Sequence, residues 1–173
     1  MTIVVDDGRR FLRRSDERYD VIVQNTTGYW RAHVTNLLSQ EYLAIVRAHL
    51  ADGGMLFLNS TSSPAAQRTV ATAFAGAKRF ENMMLAGDAP IVLDRERWRR
   101  AMSAWRIDGV PVVRSTGDVD AIEEGSLFAP LWRGVPTWEE RASILARTVS
   151  EPIVTDDNMA TEWLDENDYP PAP

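Results

Sequence analysis

The sequence of 173 residues contains no cysteine and only two histidines, His33 and His49. Without cysteine the chain forms no disulfide, uses no thiolate nucleophile and offers no cysteine-based metal site. The two histidines are distant in sequence and do not show the ligand spacing of a zinc site. We therefore predict no metal site, and the lack of disulfides is typical of a cytoplasmic protein.

Long apolar runs and repeats are also missing. No stretch approaches the roughly 18 apolar residues that a membrane span requires, and no signal peptide or internal repeat is found. The apolar content of 45% is ordinary for a globular protein. The length predicts about one domain with a substantial hydrophobic core.

The formal net charge of −6 is unevenly distributed along the chain. Seven acidic residues follow Arg147, where no Lys or Arg occurs, so the first 147 residues carry 18 acids and 19 bases. Because no overall basic footprint is present, we predict no nucleic-acid partner. The acidic carboxyl-terminal segment is either a solvated surface segment or a feature that favours a polycationic ligand.

The most informative stretch runs from residue 19 to residue 39. The β-branched run Val21–Val23 predicts a strand buried on both faces. Gln24 and Asn25 follow at its carboxyl end, which is where open α/β sheets bind their ligands. Ser39 is suited to cap the next helix. The pattern therefore predicts a strand that carries polar groups into a crevice, and an ordinary strand and loop is the alternative.

The rest of the pattern predicts alternating strands and helices. The predicted strands include Thr2–Val5 and Met55–Asn59, and an antiparallel hairpin joins Phe80–Leu85 to Pro90–Leu93. The predicted helices are Arg9–Arg14, capped by Asp7; Gln40 to about Leu50, ended by Gly53-Gly54; one from Ser63-Pro64 to Gly76; one from Asp94; a short one near Asp120; and one through about Thr148, opened by a capping box of Thr137 and Glu140.

Several of these segments resemble the spermidine synthase-like family, whose members are aminopropyltransferases built on the methyltransferase type of Rossmann fold. The resemblance covers roughly residues 2–60 and one separate motif near the end. Its elements are Asp6-Asp7-Gly8-Arg9, the YDVI of residues 19–22, Asn36-Leu37-Leu38, Asp52-Gly53-Gly54 and Thr155-Asp156-Asp157-Asn158. The pattern Trp30, Ala32, Val34, Asn36, Leu37 resembles the branch in which such a domain follows a membrane-embedded segment.

The resemblance implies an α/β fold: a partial Rossmann-like (class I methyltransferase-type) mixed sheet with a terminal antiparallel hairpin and a helical C-terminal extension. Residues 1–107 then form a partial aminopropyltransferase domain, and residues 108–173 form an irregular and helical extension of it. The chain has neither the Gly-rich nucleotide loop nor the acidic ribose-binding residue, which the family carries further upstream. We expect the carboxyl-terminal part of a larger domain or a degenerate one. Its expected partners are an upstream membrane segment, a complementing N-terminal half or a second copy of the chain.

The resemblance also implies ligands. The donor is decarboxylated S-adenosylmethionine or S-adenosylmethionine, and the acceptor is a polyamine or another small molecule. The cofactor-binding candidates are Asp6, Asp7, Gly8 and Asn25, where Asp7 either accepts a hydrogen bond from the adenine amino group or caps the helix. The substrate-binding candidates are Tyr29, Trp30, Asp156 and Asp157, for which packing or a local turn is the alternative.

The catalytic candidates are Asn25 and His33. Asn25 occupies the position at which the family has an aspartate that orients and deprotonates the amine. An amide can orient an amine but cannot accept its proton. His33 is the only nearby side chain of a type that exchanges a proton near neutral pH, although a single loop histidine is also a common surface residue. We therefore expect impaired aminopropyl transfer; the alternatives are a non-catalytic regulatory or assembly module and an S-adenosylmethionine-dependent methyltransferase.

Overall fold

The computed structural model describes residues 2–25, 35–60, 62–124, 131–132 and 135–158. These residues form a mixed α/β structure with six α-helices and nine strands. The elements are α1 (Gly8–Arg14), β1 (Tyr19–Gln24), a 3-10 turn (Thr35–Leu37), α2 (Gln40–Ala48), β2 (Leu50–Asn59), α3 (Pro64–Ala73), β3 (Gly76–Phe80), β4 (Met83–Gly87), α4 (Arg95–Ala104), β5 (Arg106–Ile107), β6 (Val110–Pro111), α5 (Thr116–Glu124), β7 (Leu131–Trp132), β8 (Val135–Pro136), β9 (Glu139–Glu140) and α6 (Arg141–Arg147).

The chain divides into two compact units, Met1–Ile91 with Glu140–Pro173, and Val92–Glu139. The first unit contains the main sheet with α1, α2, α3 and α6. The second contains α4, α5 and two short hairpins, β5–β6 and β7–β8. Within it, Arg95 and Arg99 form ion pairs with the buried Glu123 and so join α4 to α5. The division of the chain near residue 107 stays a prediction.

The main sheet has the strand order β1-β2-β4-β3-β9. β1 and β2 are parallel, with Val21 opposite Met55 and Gln24 opposite Leu58. β4 runs antiparallel to both β2 and β3. The sheet is therefore mixed, and β1 is its edge strand among the residues that the structure describes.

The helices of the first unit cover one face of this sheet. Leu56 and Leu58 of β2 and Met84 and Ala86 of β4 are fully buried on that face. Because partners in a ladder point to the same face, Ile22, opposite Leu56, also lies on the covered face. The other members of this core are Leu12, Leu38, Tyr42, Leu43, Val46, Leu50, Ala65, Ala66, Val70, Ala71, Phe74, Ala77, Ile144 and Val154.

Local capping signals predicted the helix starts well. The side chain of Asp7 accepts a hydrogen bond from Arg10 N and caps α1, as expected. Ser63 caps α3 with Pro64 in its first turn, and Asp94 caps α4. The short helix near Asp120 is also present, as α5. Among the described residues, no helix combines the length and the apolar character needed to cross a membrane.

The predicted strand at Thr2–Val5 is wrong. These residues form no secondary structure and are exposed, Val5 to 97%. A β-branched run becomes a strand only when a neighbouring strand satisfies its backbone groups. No described strand pairs with this segment.

The prediction that β1 is buried on both faces is also wrong. Val21 is 52% exposed and Val23 is 65% exposed. The helices cover only the face that carries Ile22 and Gln24, and β1 lies at the edge of the sheet. The continuous apolar run therefore predicted the strand correctly, but it did not predict that one face of the strand is exposed.

The end of α2 differs from the prediction as well. The helix ends at Ala48, and Leu50 already belongs to β2, because Tyr19 N donates to His49 O (2.8 Å) and brings the chain into the sheet. Gly53-Gly54 lies inside β2 instead of ending the helix. The pairing shifts there from Tyr19–Leu50 to Val21–Met55, which is a bulge. Gly53 adopts φ +77°, a conformation suited to glycine.

The predicted hairpin was misplaced. The observed hairpin is β3–β4, with its turn at Glu81 and Asn82, and Pro90–Leu93 forms no strand. Gly76 begins β3 instead of ending α3, which ends at Ala73. A Cβ on Gly76 would clash with Ala89 O, so this glycine permits the close return of the chain beside β3.

The capping box of Thr137 and Glu140 was also wrong. Glu140 does precede α6, but its side chain makes no capping hydrogen bond. It forms an ion pair with Lys78 of β3 instead. Glu140 therefore binds a cation that is distant in sequence instead of a backbone group at the start of its own helix.

Candidate functional site

Polar side chains lie where the parallel strands β1 and β2 end side by side. Asn25 follows β1, and Asn59 is the last residue of β2. Asn59 Nδ2 donates a hydrogen bond to Asn25 Oδ1 at 3.2 Å. The structure thus places Asn25 at the strand end that the sequence indicates and pairs it with a second amide.

Gln24 lies next to this pair on the covered face of β1. Its side chain is only 8% exposed, and Nε2 donates to Leu37 O at 2.8 Å. This bond attaches the 3-10 turn to the end of β1. Gln24 Oε1 is buried and has no hydrogen-bond partner within the described part of the chain. An unsatisfied buried acceptor costs about 1–3 kcal/mol, so this oxygen is suited to accept a bond from a ligand or a water molecule.

An ion pair lies near the same end of the sheet. Arg9 Nη1 and Nη2 bind the two carboxylate oxygens of Asp156 at 2.7 and 2.5 Å. Arg9 Nη1 also donates to Asn36 O at 3.3 Å. The geometry is the bidentate one that gives strong charge-assisted bonds. Three segments that carry the family resemblance therefore meet in one network.

Asp156 is further fixed by the start of α2. Ser39 Oγ donates to Asp156 Oδ1 at 2.6 Å and accepts a bond from Tyr42 N at 3.2 Å. Asp156 N donates to Glu41 Oε2 at 3.0 Å. The hydrogen bond from Arg9 is the main cause that lowers the pKa of Asp156, and it raises the pKa of Arg9. Asp156 is therefore a fixed anion rather than a proton acceptor near neutral pH.

The turn that contains Asp156 is held by its own ends. Thr155 N donates to Asn158 Oδ1 at 2.9 Å, and Asn158 N donates to Thr155 Oγ1 at 3.1 Å. Between them, Asp157 is exposed. The structure therefore brings Asp156 into a network and leaves Asp157 at the surface of this turn.

Two predicted cofactor-binding residues at the start of α1, Asp6 and Asp7, have hydrogen-bond partners within the chain. Asp7 Oδ1 accepts a bond from Arg10 N at 2.8 Å, which establishes its role as a helix cap. Asp6 Oδ1 accepts bonds from Arg10 Nε at 2.6 Å and from Asp7 N at 2.7 Å. The bond from Arg10 is the main cause that lowers the pKa of Asp6. A Cβ on Gly8 would meet no atom within 4 Å.

Tyr29, Trp30 and His33 lie outside the described residues, so their part in the site stays a prediction. Arg9 and Asn59 were not among the predicted site residues. Asn59 carries a usable signal, since it ends a predicted strand. Arg9 and Asp156 both lie in segments that carry the resemblance, but no local pattern pairs them across 147 residues. No group of three or more His, Cys, Asp or Glu side chains that could hold a metal ion occurs in the part of the chain that the structure describes.

No model of a known protein family matches the chain.

Proposed function

We propose that the chain is a spermidine synthase-like domain with a Rossmann-like fold that binds an S-adenosyl-type nucleoside at the carboxyl end of β1. We further propose that it transfers an aminopropyl group to a polyamine only poorly. The observation that carries this proposal is the Asn25–Asn59 amide pair, which occupies the strand end where the resemblance implies a carboxylate.

Aminopropyl transfer requires that the attacking amine lose a proton. Neither Asn25 nor Asn59 can accept one. Two acids that the resemblance suggested as ligand contacts serve other purposes, because Asp156 is held by Arg9 and Asp7 caps α1. At the described strand ends the available chemistry is hydrogen bonding by neutral groups. That chemistry suits the ribose hydroxyls of a nucleoside better than it suits deprotonation of an amine.

Gln24 supports a binding role for this end of the sheet. Each amide carries both a donor and an acceptor, and Gln24 Oε1 is a buried acceptor that the described residues leave unsatisfied. A hydroxyl that donates to this oxygen would remove the cost of its burial. The same groups would orient a ligand without reacting with it.

A non-catalytic regulatory or assembly module is the second candidate. The specific observation in its favour is that Asp7 and Asp156, both candidates for ligand contacts, have structural partners that explain their presence. In such a module the network around Arg9 would stabilise the fold, and no adenosyl ligand would be required.

The decisive experiment measures binding and transfer with the full chain. S-adenosylmethionine and decarboxylated S-adenosylmethionine are titrated calorimetrically, and transfer to a diamine is followed by mass spectrometry. We expect weak binding and slow transfer by the natural sequence. Asn25→Asp should raise the transfer rate, because a positioned proton acceptor is typically worth about 10²–10⁴-fold.

Two variants complete the design. Asn82→Asp adds the same charge in the β3–β4 turn and can still accept the bond from Ser62 Oγ, so it should leave transfer unchanged. Gln24→Met keeps the side-chain volume and removes both the buried acceptor and the donor to Leu37 O, so it should weaken nucleoside binding by about 1–3 kcal/mol, and its unfolding is measured beside that of the natural sequence to separate the loss of the Leu37 bond. Absence of binding to both nucleosides would favour the module. Fast transfer by the natural sequence that Asn25→Asp reduces would contradict the role given to Asn25.

A further inference from the structure

The side chain of His49 lies between the carboxyl ends of two helices. Its Nδ1 atom is 2.7 Å from the carbonyl oxygen of Ile45, in the last turn of α2. Its Nε2 atom is 3.0 Å from the carbonyl oxygen of Ser15, the residue that caps the end of α1. The imidazole is half-buried, and both of its nitrogens face a hydrogen-bond acceptor.

The end of α2 explains why Ile45 O is available to the ring. In a regular helix this oxygen would accept a bond from the backbone N–H of His49, four residues later. Here His49 N donates to Val46 O at 2.9 Å, which tightens the last turn. Ile45 O is therefore a carbonyl that the helix end leaves without its backbone donor, and the imidazole of His49 supplies a replacement.

The number of protons on the ring decides how many of these contacts are hydrogen bonds. A neutral imidazole has one N–H group and one lone pair, whereas the imidazolium has two N–H groups. Because carbonyl oxygens only accept, the neutral ring must present its lone pair to one of them. The imidazolium satisfies both oxygens, and a positive charge is also favoured at the carboxyl end of a helix. Histidine is the type of side chain that changes its charge between about pH 5 and pH 8.

We propose that His49 is a proton-dependent clamp that joins the end of α1 to the end of α2. With both nitrogens protonated, the ring donates to Ile45 O and to Ser15 O. Loss of one proton opens the bond to Ser15 O, because the contact with Ile45 O is shorter and lies within α2 itself. Ser15 is then released from α2 as the pH rises.

The two carbonyl oxygens are the hydrogen-bond partners of this imidazole in the described part of the chain, and no charged side chain there bonds to it. The other ionisable groups of the surrounding segments, residues 13–20 and 47–52, are four arginines, four carboxylic acids and one phenol: Arg13, Arg14, Arg18, Arg47, Asp16, Glu17, Asp20, Asp52 and Tyr19. Their formal charges sum to zero at neutral pH. The carbonyl contacts are therefore the feature that favours the imidazolium over the neutral ring.

The clamp acts on the segment that leads into the sheet. Ser15 Oγ accepts a bond from Glu17 N at 3.1 Å and lies 3.4 Å from Tyr19 Oη, and Tyr19 begins β1. When Ser15 is released, residues 15–18 lose a contact with α2, while the buried Leu12 still holds α1 to the core. The fold therefore persists, and the connection between α1 and β1 loosens. This inference is independent of the proposed enzymatic ancestry.

Urea unfolding of the full chain at several pH values tests the clamp. The natural sequence is compared with His49→Gln, which keeps an amide donor and does not titrate. The ratio of folded to unfolded protein, divided by the same ratio for the variant, should rise about tenfold from about pH 8 to about pH 5. His33 and the carboxylates are common to both proteins and cancel in this quotient. Arg47→Gln is the matched control at the same helix end; it removes a charge that does not titrate and should keep the pH dependence of the natural sequence.

Nitrogen NMR reports the protons on the ring directly and does not depend on His49→Gln being folded. His33→Gln leaves His49 as the only histidine, so its ring signals are unambiguous. At about pH 7 most His49 rings should carry two N–H groups in the folded protein, whereas most should be neutral in concentrated urea. A quotient of folding ratios that does not change with pH, or a His49 ring that is no more protonated in the folded protein than in urea, would overturn the proposal.

Discussion

Arg9 and Asp156 form a bidentate ion pair although 147 residues separate them in the chain. Arg9 lies in α1, and Asp156 lies in the turn that follows α6. The same carboxylate also accepts a bond from Ser39, the capping residue of α2. One acidic side chain therefore joins three segments of the first unit. Its effect on the stability of the fold can be measured.

Asp156→Asn should destabilise the protein by about 1–3 kcal/mol, because it removes the charge that Arg9 binds and leaves that cation partly buried. Urea unfolding followed by circular dichroism measures this free energy. Asp157→Asn is the neighbouring control; its exposed side chain should change the free energy of unfolding by no more than about 0.5 kcal/mol. Equal effects of the two variants would show that the ion pair contributes nothing specific.

The Asp156 network should also depend on pH. Its folded-state pKa lies below the ordinary value of 3.8, so its contribution is present above that value and is lost as the pH falls through the lowered pKa. The difference in stability between the natural sequence and Asp156→Asn should therefore shrink on acidification from about pH 6 to about pH 2–3. Asp6 also has a lowered pKa, but it is common to both proteins and cancels in the difference. A difference that grows with acid would contradict this sign.

Asp7→Ala should cost about 1 kcal/mol of stability, which is typical for loss of a helix cap. Asp7→Asn should restore most of it, because asparagine also caps helices well. A contact with the adenine amino group would add a second effect. The natural protein would then bind adenosine more tightly than inosine, and Asp7→Ala would remove that preference. Equal calorimetric affinities for the two nucleosides would leave Asp7 with the capping role alone.

Gly54→Ala should destabilise the sheet by about 1–3 kcal/mol, because the new Cβ would lie 2.8 Å from the backbone oxygen of Tyr19. Thermal unfolding of both variants gives the comparison. Gly8→Ala is the control, since its Cβ would meet nothing within 4 Å and Gly8 is the first residue of α1. It should be neutral or slightly stabilising. Similar losses in the two variants would mean that the bulge tolerates a side chain.

The helix starts could be predicted because their cause is local. Asp7, Ser63 and Asp94 each accept a bond from a backbone N–H three residues later, and this spacing can be read from the sequence. The strands depend on partners that are distant in sequence. Thr2–Val5 has the composition of a strand and no neighbouring strand among the described residues. Phe80–Leu85 contains the turn that the prediction placed after it.

The sequence predicted only part of the candidate site. The position of Asn25 follows from the end of a strand, and the structure confirms that it lies there. Its partner Asn59 depends on the register between β1 and β2, which includes a bulge. The Arg9–Asp156 pair depends on how α1 and the turn after α6 pack together. Neither relationship leaves a trace in local composition or periodicity.

The second unit leaves and rejoins the first at points that are anchored on a single strand. Ala89, just before the exit after Ile91, lies against Gly76 of β3, and Glu140, at the return, is bound to Lys78 of the same strand. Residues 92–139 therefore form an insertion whose two ends are held beside the same strand, β3. An insertion whose ends are fixed in this way can be lengthened, shortened or exchanged while the first unit keeps its strand order.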